Sequence, residues 1–283
     1  MNHNIGNYIA QRRKELGLTQ QKLAEQLNIS FQAVSKWENG SASPDISLLA
    51  PLAHILNTTV DTMVGYSHEF FTHYEEKYSD EQYYWGIAPN TMCYEIMKLR
   101  PPVKPYRVLD IGCGEGKDAV FLAKNGYRVT AFDVAENGIE KAKELARHSH
   151  VEVDFFVANM HEYKIETEFD IIYSSGVLHY LPLKKRKEFL DDLKAHTAEG
   201  GIHAVNAFVR KPFIELAPDM EEAEREVEPW LSGELAGYYY DWLFHQNDEI
   251  IFSCNSGGIP HKHCMDILIA EKKGVFVSRR CSN

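Results

Sequence analysis

Apolar residues in the amino-terminal part of the chain recur three or four positions apart, the spacing of short amphipathic helices. Gly17 and Gly40 follow two such stretches and are suited to end helices, while Thr19 and Ser30 precede others as capping residues. The pattern predicts five short helices within residues 5–64. This part of the chain is therefore expected to form a small all-α domain.

The rest of the chain alternates short apolar runs with amphipathic stretches. Five apolar runs predict strands, at 107–111, 129–133, 153–157, 170–173 and 203–208. Three amphipathic stretches predict helices, at 118–125, 138–147 and 184–196. Alternation of this kind predicts an α/β fold with a parallel sheet between two helical layers. Residues 249–254 and 265–270, joined by a Gly-Gly loop, predict an antiparallel hairpin at the carboxyl-terminal end.

These patterns divide the chain into two domains. The helical domain is placed at residues 1–66 and the α/β domain at 83–283. Residues 67–82, rich in tyrosine, glutamate, histidine and aspartate, are predicted to be a linker. The acidic segment 215–228 is predicted to be a solvated helix that covers the functional site.

Charge is divided unevenly between the two domains. The 283-residue chain has a formal net charge of −11, yet residues 1–65 carry five basic and five acidic groups. The whole acidic surplus therefore lies in residues 66–283, where it disfavours large anionic substrates. A neutral helical domain gains little from non-specific attraction to phosphates. If it binds DNA, it is expected to act as a homodimer that doubles the contacts.

Composition also bounds the cellular setting. No apolar run approaches the roughly 18 residues that indicate a membrane span, and the first 14 residues lack the apolar core of a signal peptide. The five cysteines are odd in number and form no CxxC pair. They indicate reduced thiols, without a disulfide framework or structural zinc site, in a cytoplasmic protein.

Residues 18–40, LTQQKLAEQLNISFQAVSKWENG, resemble the Xre/Cro-type helix-turn-helix family. The resemblance implies that the third helix enters the major groove of double-stranded DNA. It implies base contacts by Phe31, Gln32 and Lys36 and phosphate contacts by Gln20, Ser35 and Asn39. It also implies a structural ion pair between Arg13 and Glu38. A protein-interaction role for the same fold remains the alternative.

A glycine turn follows the first predicted strand, in the sequence VLDIGCGEG at 108–116. Gly112 and Gly114 allow a sharp turn and close approach of a ligand to the backbone. Asp110 before the turn would repel a pyrophosphate but suits a ligand with an ammonium group. Asp133 ends the second strand, 19 residues after Gly114, where a carboxylate can accept hydrogen bonds from both ribose hydroxyls.

In this order and spacing, these residues resemble class I S-adenosylmethionine (SAM)-dependent methyltransferases. The resemblance implies a Rossmann-like sheet that binds SAM and releases S-adenosylhomocysteine. Residues 81–89 and 232–242 further resemble segments of the tellurite-resistance methyltransferases and their small-molecule relatives. The implied cofactor-binding residues are Tyr84, Trp85, Asp110, Gly112, Gly114, Asp133, Val134, Asn159, Met160 and Ser175. Tyr84, Trp85 and Tyr239 are candidates for cation–π contact with the sulfonium, with ordinary packing as the alternative.

Four residues are candidate catalytic groups: His179, Tyr239, His261 and His263. On a strand, His261 and His263 would point to one face, where a histidine can orient the acceptor or accept its proton. Solvated loop histidines are the alternative. A metal site is not expected, because the third ligand would have to come from Cys254, Cys264 or Asp266, whose faces the sequence leaves open.

The sequence thus predicts a methyltransferase fused to a DNA-binding module that regulates transcription. The expected acceptor is small: a tellurite- or selenite-like oxyanion, a thiol or an amine. The alternative is a transcription regulator whose methyltransferase-like domain senses SAM or a small ligand without turnover. DNA base methylation is disfavoured, because no Asn-Pro-Pro-Tyr or Pro-Cys motif occurs in the chain.

Overall fold

The computed structural model describes residues 5–56, 58, 60, 63, 74–215, 228–254 and 259–274. The chain divides into two compact units, Met1–Phe71 and Thr72–Asn283. None of the helices in these described stretches is both long and apolar enough to cross a membrane.

The first unit is helical, as predicted. Its helices are α1 (Ile5–Glu15), α2 (Gln20–Leu27), α3 (Phe31–Glu38) and α4 (Ile46–Ile55). Thr19 and Ser30 cap α2 and α3 by accepting hydrogen bonds from the backbone N–H groups of Lys22 and Ala33. The predicted fifth helix falls mainly on residues outside the described part of the chain.

The helices of the first unit pack around a small apolar core. Leu23, Val34 and Leu52 are completely buried there. The predicted ion pair between Arg13 and Glu38 is confirmed, with Nε of Arg13 2.6 Å from Oε1 of Glu38. It ties α1 to α3, and the Arg13 guanidinium and other polar partners hold the pKa of Glu38 below its usual value against the effect of burial.

The second unit contains a seven-stranded sheet in the order β3-β2-β1-β4-β5-β7-β6. Its strands are β1 (Arg107–Ile111), β2 (Arg128–Asp133), β3 (Asp154–Val157), β4 (Phe169–Ser174), β5 (Thr197–Val209), β6 (Leu243–Cys254) and β7 (His261–Glu271). The first five are parallel to one another, and β7 is antiparallel to β5 and to β6. The predicted fold class is confirmed.

The carboxyl-terminal hairpin is longer than the sequence indicates. Its first strand, β6, begins at Leu243 rather than at residue 249. This strand forms the edge of the sheet and is exposed along most of its length, so polar residues such as Gln246 and Asp248 replace the apolar pattern of a buried strand.

Helices cover both faces of the sheet. They are α5 (Tyr74–Tyr78), α6 (Thr91–Leu99), α7 (Lys117–Lys124), α8 (Glu136–His148), α9 (Leu183–Ala195) and α10 (Glu234–Gly237). Val108 and Ile171 belong to the apolar core with α6, α7 and α8, while their neighbours Leu109 and Ile172 belong to the core with α9. Strand residues alternate between two buried faces, so these strands are apolar throughout.

The predicted linker and the predicted acidic helix are only partly covered by the described residues. The predicted linker at 67–82 contains α5 from Tyr74 onward, and Tyr78 is only 5% exposed because α5 packs on α8 within the second unit. Residues 67–73 lie outside the described part of the chain. Most of the predicted acidic helix at 215–228 also lies outside it, so that expectation stays a prediction.

Candidate active site

The carboxyl ends of the parallel strands meet at one edge of the sheet, where ligands of open α/β folds bind. The glycine turn after β1 lies at this edge. The N–H groups of Gly112 and Cys113 both donate to the carbonyl of Phe132 at the end of β2, at 2.9 and 3.0 Å. Gly112 has φ +72°, and a Cβ there would lie 2.3 Å from a methyl group of Val177. Close packing and backbone geometry therefore both require glycine.

Asp110 lies one residue before the end of β1 and is 1% exposed. Its Oδ2 has no hydrogen-bond partner among the described residues. Burial and the neighbouring Asp118 raise its pKa well above the usual range, and nearby Lys117 opposes them. A buried carboxylate oxygen without a donor is an acceptor position that a cationic ligand group would satisfy.

Asp133, at the end of β2, is held in one orientation by the backbone. Its Oδ2 accepts from the N–H of Gly114 at 2.8 Å and its Oδ1 from the N–H of Ala135 at 2.9 Å. Burial raises its pKa, while these amide donors lower it. Each oxygen retains a lone pair for a further donor, so a ligand diol can be accepted there. Val134 follows, partly exposed.

The turn after β3 contains Asn159 and Met160, both partly buried. Oδ1 of Asn159 accepts from the N–H of His161 at 3.0 Å and so stabilises the turn. Met160 and Tyr163 pack on the apolar cluster that includes Phe132. This turn follows the strand next to β2, as a site for a planar ring beside Asp133 requires.

An aromatic cluster lies against the glycine turn. Tyr84 and Trp85 pack edge to face with ring centroids 4.8 Å apart, and the indole N–H of Trp85 lies 3.3 Å from the Tyr78 hydroxyl. That hydroxyl would lie 2.8 Å from a Cβ at Gly114. The Lys77 ammonium lies 5.1 Å from the centroid of the Tyr84 ring. The Tyr84 ring therefore faces a cation in this structure, while the predicted contact of Tyr84 and Trp85 with the sulfonium stays a prediction.

The sequence did not reveal the polar groups that form hydrogen bonds with this aromatic cluster and with Ser175. The backbone N–H of Trp85 donates to Oε2 of Glu115, and Oε1 of Glu115 forms a 2.5 Å ion pair with Lys141. Oγ of Ser175 lies 3.2 Å from the amide nitrogens of both Asn90 and Asn206. Asn206 could have been recognised from the sequence, because it is a polar residue within the otherwise apolar end of β5.

Three of the four candidate catalytic residues are linked by contacts near the end of β5: His179 and His263 pack against Phe208, and His261 contacts His263. The His179 ring lies 4.6 Å from the Phe208 ring, and the His263 ring lies 4.8 Å from it. The rings of His261 and His263 are nearly perpendicular, at 83°, with their Nε2 atoms 2.8 Å apart. The expectation that these two share a face is confirmed.

His179 is a neutral imidazole in this setting. Burial, with a smaller effect of His263, lowers its pKa to about 3. Its Nδ1 is buried and has no hydrogen-bond partner among the described residues. An imidazole with so low a pKa is a poor proton acceptor at neutral pH, but it can orient a ligand by hydrogen bonding.

Tyr239 does not belong to the site, so its prediction as a catalytic and sulfonium-contacting residue is wrong. The side chain is completely buried, and its hydroxyl lies 2.8 Å from Nδ1 of His203. Its ring packs edge to face on Trp242 in the apolar core beneath α9. The run of three tyrosines in the sequence does not show which one faces the core.

The structure also brings a third possible metal ligand to the histidine pair. Cys254 lies opposite His261 across the hairpin. Its sulfur and the ring nitrogens of His261 and His263 all lie within 4.8 Å of one another. The sequence left open which of Cys254, Cys264 and Asp266 could join the two histidines, and the structure brings Cys254 to them.

The first unit holds the candidate DNA-contacting residues. Phe31, Gln32 and Lys36 are exposed on α3, and the Phe31 side chain is 42% exposed. Ser35 is partly buried. Gln20 donates to Oε2 of Glu38 at 2.7 Å, and Asn39 accepts from the N–H of Ser41 at 2.9 Å. The three base-contacting candidates are therefore free of the core, while Gln20 and Asn39 also brace the fold.

Comparison with known proteins agrees with these two units. Residues 108–201 match the family described as Methyltransferase domain, and residues 9–63 match the family described as Helix-turn-helix. The chain therefore combines a helix-turn-helix domain with a methyltransferase domain.

Among individual relatives is the Haemophilus influenzae protein named "Probable S-adenosyl-L-methionine-dependent methyltransferase TehB". It is 25% identical over 174 residues, which cover 61% of this chain and 59% of the relative. The 2-heptyl-1-hydroxyquinolin-4(1H)-one methyltransferase of Mycobacteroides abscessus is 29% identical over 51% of this chain and 64% of its own length. Both matches span less than two thirds of the relative.

The crystal structure of TehB from Haemophilus influenzae superposes with a TM-score of 0.58 at 23% identity. The superposition covers 71% of this chain and 66% of that one. At this level of identity the likeness supports the fold, a mixed sheet of the methyltransferase type.

Proposed function

We propose that the second unit binds SAM and transfers its methyl group to a small-molecule acceptor. The observation that supports this most strongly is the pairing of the glycine turn with Asp110. A buried carboxylate oxygen without a donor lies beside a turn that only glycine can form. The ammonium of the SAM methionine group supplies both the donor and the opposite charge that this carboxylate requires.

The other residues at this edge fit the rest of the cofactor. Asp133, fixed by two backbone amides, would accept the ribose hydroxyls, and the turn at Asn159 and Met160 would contact the adenine. Tyr84 and Trp85, whose rings pack edge to face beside the glycine turn, would face the sulfonium, and the Tyr84 ring already lies beneath the Lys77 ammonium. When bound, SAM supplies an electrophilic methyl group. The relative named as SAM-dependent supports the same assignment.

The acceptor would bind between Ser175 and the histidines that surround Phe208. His179, neutral because of its burial, would orient the acceptor through its buried Nδ1. His263 packs against the same Phe208 ring, with centroids 4.8 Å apart, and would contact the same molecule. Phe208 would exclude water from the line along which the acceptor approaches the methyl group.

The acceptor class is a thiol, an amine or a tellurite- or selenite-like oxyanion. The surplus negative charge of the second unit favours small or cationic acceptors over large anions. The relatives do not identify the acceptor class, because one is named as a TehB protein and another as a hydroxyquinolinone methyltransferase.

Incubation with SAM and a panel of tellurite, selenite, thiols and amines tests the proposal. Formation of S-adenosylhomocysteine with at least one acceptor, above the background without acceptor, is the expected result. Tight binding of SAM without product across the panel would instead support the alternative, a regulator that senses SAM without turnover. Absence of SAM binding would contradict both.

We further propose that the first unit binds double-stranded DNA as a homodimer and regulates transcription. Its support is the exposed side of α3, where Gln32 can pair with adenine, Lys36 with guanine, and Phe31 can contact a thymine methyl. The unit carries no net charge in residues 1–65, so base contacts and a second copy must supply the affinity.

Selection of bound sequences from a random duplex library, followed by fluorescence anisotropy, tests this second proposal. Gln32→Ala is expected to weaken binding to the selected site by about 1–3 kcal/mol and leave SAM affinity unchanged. Gln26→Ala is the matched control, because Gln26 is equally exposed on α2. If the wild-type protein enriches no sequence, the regulator assignment fails.

A further inference from the structure

The end of the hairpin where β6 finishes and β7 begins holds a cluster of one sulfur and two imidazole side chains that can ligate a metal ion. His261 pairs with Cys254 and His263 with Phe252 in the register of the two strands. The sulfur of Cys254 and a ring nitrogen from each histidine lie within 4.8 Å of one another, and all three side chains are partly buried. This spacing is compatible with ligation of one ion after small side-chain movements.

A backbone carbonyl orients one of the histidines for ligation. Nδ1 of His261 lies 2.7 Å from the carbonyl oxygen of Ile259, which can only accept a hydrogen bond. The proton of His261 is therefore on Nδ1, and its Nε2 has a lone pair directed at His263. Metal-binding histidines in proteins are oriented by this kind of hydrogen bond from the other ring nitrogen.

The two imidazoles are already close to the separation that one metal ion imposes. Their Nε2 atoms lie 2.8 Å apart. Zn²⁺ binds imidazole nitrogen at about 2.0–2.1 Å, so two nitrogens in a tetrahedral site lie about 3.3 Å apart. A rotation that separates them by about half an ångström makes room for the ion. The proton on Nε2 of His263 would move to Nδ1 of the same ring.

We propose that Cys254, His261 and His263 form a binding site for Zn²⁺. One thiolate and two imidazoles suit a borderline-soft ion and disfavour Mg²⁺ and Ca²⁺, which prefer oxygen ligands. Binding replaces the thiol proton of Cys254 with the metal ion and releases that proton to solvent. Three protein ligands leave the fourth tetrahedral position open for water or another donor atom.

The place of the site in the sheet gives the ion access to the acceptor region. Cys264 pairs with Val209, the last residue of β5, so His263 and His261 extend past the carboxyl end of that strand. The His263 ring packs against the Phe208 ring, which also packs against the His179 ring. Metal binding itself does not depend on SAM or on methyl transfer, so the proposal can fail or succeed independently of the proposed function.

Competition between the tag-free full-length protein and a chromophoric zinc chelator measures the site directly. One Zn²⁺ per chain is expected to bind to the wild-type protein. Cys254→Ser, His261→Ala and His263→Ala are each expected to weaken its affinity at least tenfold. His148→Ala, at an exposed histidine on α8, is the matched control and should bind as the wild type does.

Cobalt substitution then identifies the sulfur ligand. Co²⁺ bound to the wild-type protein should show a thiolate-to-metal charge-transfer band, which Cys254→Ser removes. Cys264→Ser is the matched control and should retain the band, because Cys264 is not among the three ligands. Circular dichroism melts confirm that each variant is folded.

Two results would overturn the proposal. One is an absence of Zn²⁺ binding by the folded wild-type protein. The other is a triple variant of the three ligands that binds Zn²⁺ with the same stoichiometry and affinity as the wild type, which would assign the binding to other histidines. Neither result decides whether the wild-type protein forms S-adenosylhomocysteine, which the separate activity assay measures.

Discussion

The two halves of the sheet edge are built in different ways. The half after β1 and β2 is made by backbone: a glycine turn bonded to the end of β2 and an aspartate held by two amides. The half after β4 and β5 is made by side chains from distant parts of the chain. There the rings of His179 and His263 both pack against the ring of Phe208. A fixed backbone suits a constant ligand such as SAM, while a side-chain surface can be varied to suit the acceptor.

The largest expected effect tests the backbone half. Gly112→Ala places a methyl group against Val177 at positive φ and should lower the free energy of unfolding by about 2–4 kcal/mol. Gly176→Ala is the matched control, since Gly176 has φ +73° but nothing within 4 Å of its Cβ position. That variant should lose only the backbone term, about 1 kcal/mol. Equal losses in urea unfolding would show that the close approach of Val177 is unimportant.

The next effect is the pH dependence of stability that His203 causes. This histidine lies in the core, unlike the site histidines of the side-chain half. His203 is completely buried between Thr197 and Tyr239, and burial lowers its pKa to about 3 from 6.5. The unfolded chain then binds a proton that the folded protein does not, so this histidine destabilises the fold as pH falls from 6.5 toward 3. The slope is about 1.4 kcal/mol per pH unit.

Urea unfolding of the wild type and His203→Gln at pH 6.5 and at about pH 5 measures this contribution. The variant is expected to be less stable at pH 6.5 but to lose less stability on acidification. Parallel losses in the two proteins would show that His203 is not kept neutral by the fold.

A smaller effect tests the contact to the ribose. Asp133→Ala removes charge-assisted hydrogen bonds and should weaken SAM binding by about tenfold or more, measured by isothermal titration calorimetry. Asp154→Ala, at an exposed position on the neighbouring strand β3, is the control and should keep wild-type affinity. Unchanged affinity in Asp133→Ala would place the cofactor elsewhere on the edge.

The smallest effect belongs to the acceptor half. His179→Ala removes one orienting hydrogen bond and should raise the KM for the acceptor about fivefold, without a change in SAM affinity. Steady-state kinetics with the acceptor found in the panel, together with calorimetry of SAM, separates the two quantities. A loss of SAM affinity instead would show that the two halves are not independent.

The predictability of the two halves from sequence differs for the same structural reason. The glycine turn, Asp110 and Asp133 occupy short contiguous segments. Neighbouring residues in the sequence determine their backbone geometry, and the structure places them at one edge of the sheet. The helix-turn-helix was equally local, with its caps at Thr19 and Ser30 and its ion pair between Arg13 and Glu38.

What the sequence could not show depends on contacts between distant segments. Cys254 joins His261 and His263 only through the register of β6 against β7, which an exposed edge strand does not reveal. Tyr239 resembles a surface aromatic within a run of tyrosines until its bond to His203 is seen. Tyr78 lies in a polar segment, yet it is buried because α5 packs on α8.

We propose above all that the backbone half of the sheet edge, after β1 and β2, binds SAM through the Asp110 carboxylate. Calorimetric titration of SAM into the wild-type protein and Asp110→Asn tests it most directly. We predict one saturable site per chain and at least tenfold weaker binding to the folded variant, because the amide cannot neutralise the ammonium. The absence of saturable binding to the wild type, or equal affinity for both proteins, would contradict the assignment.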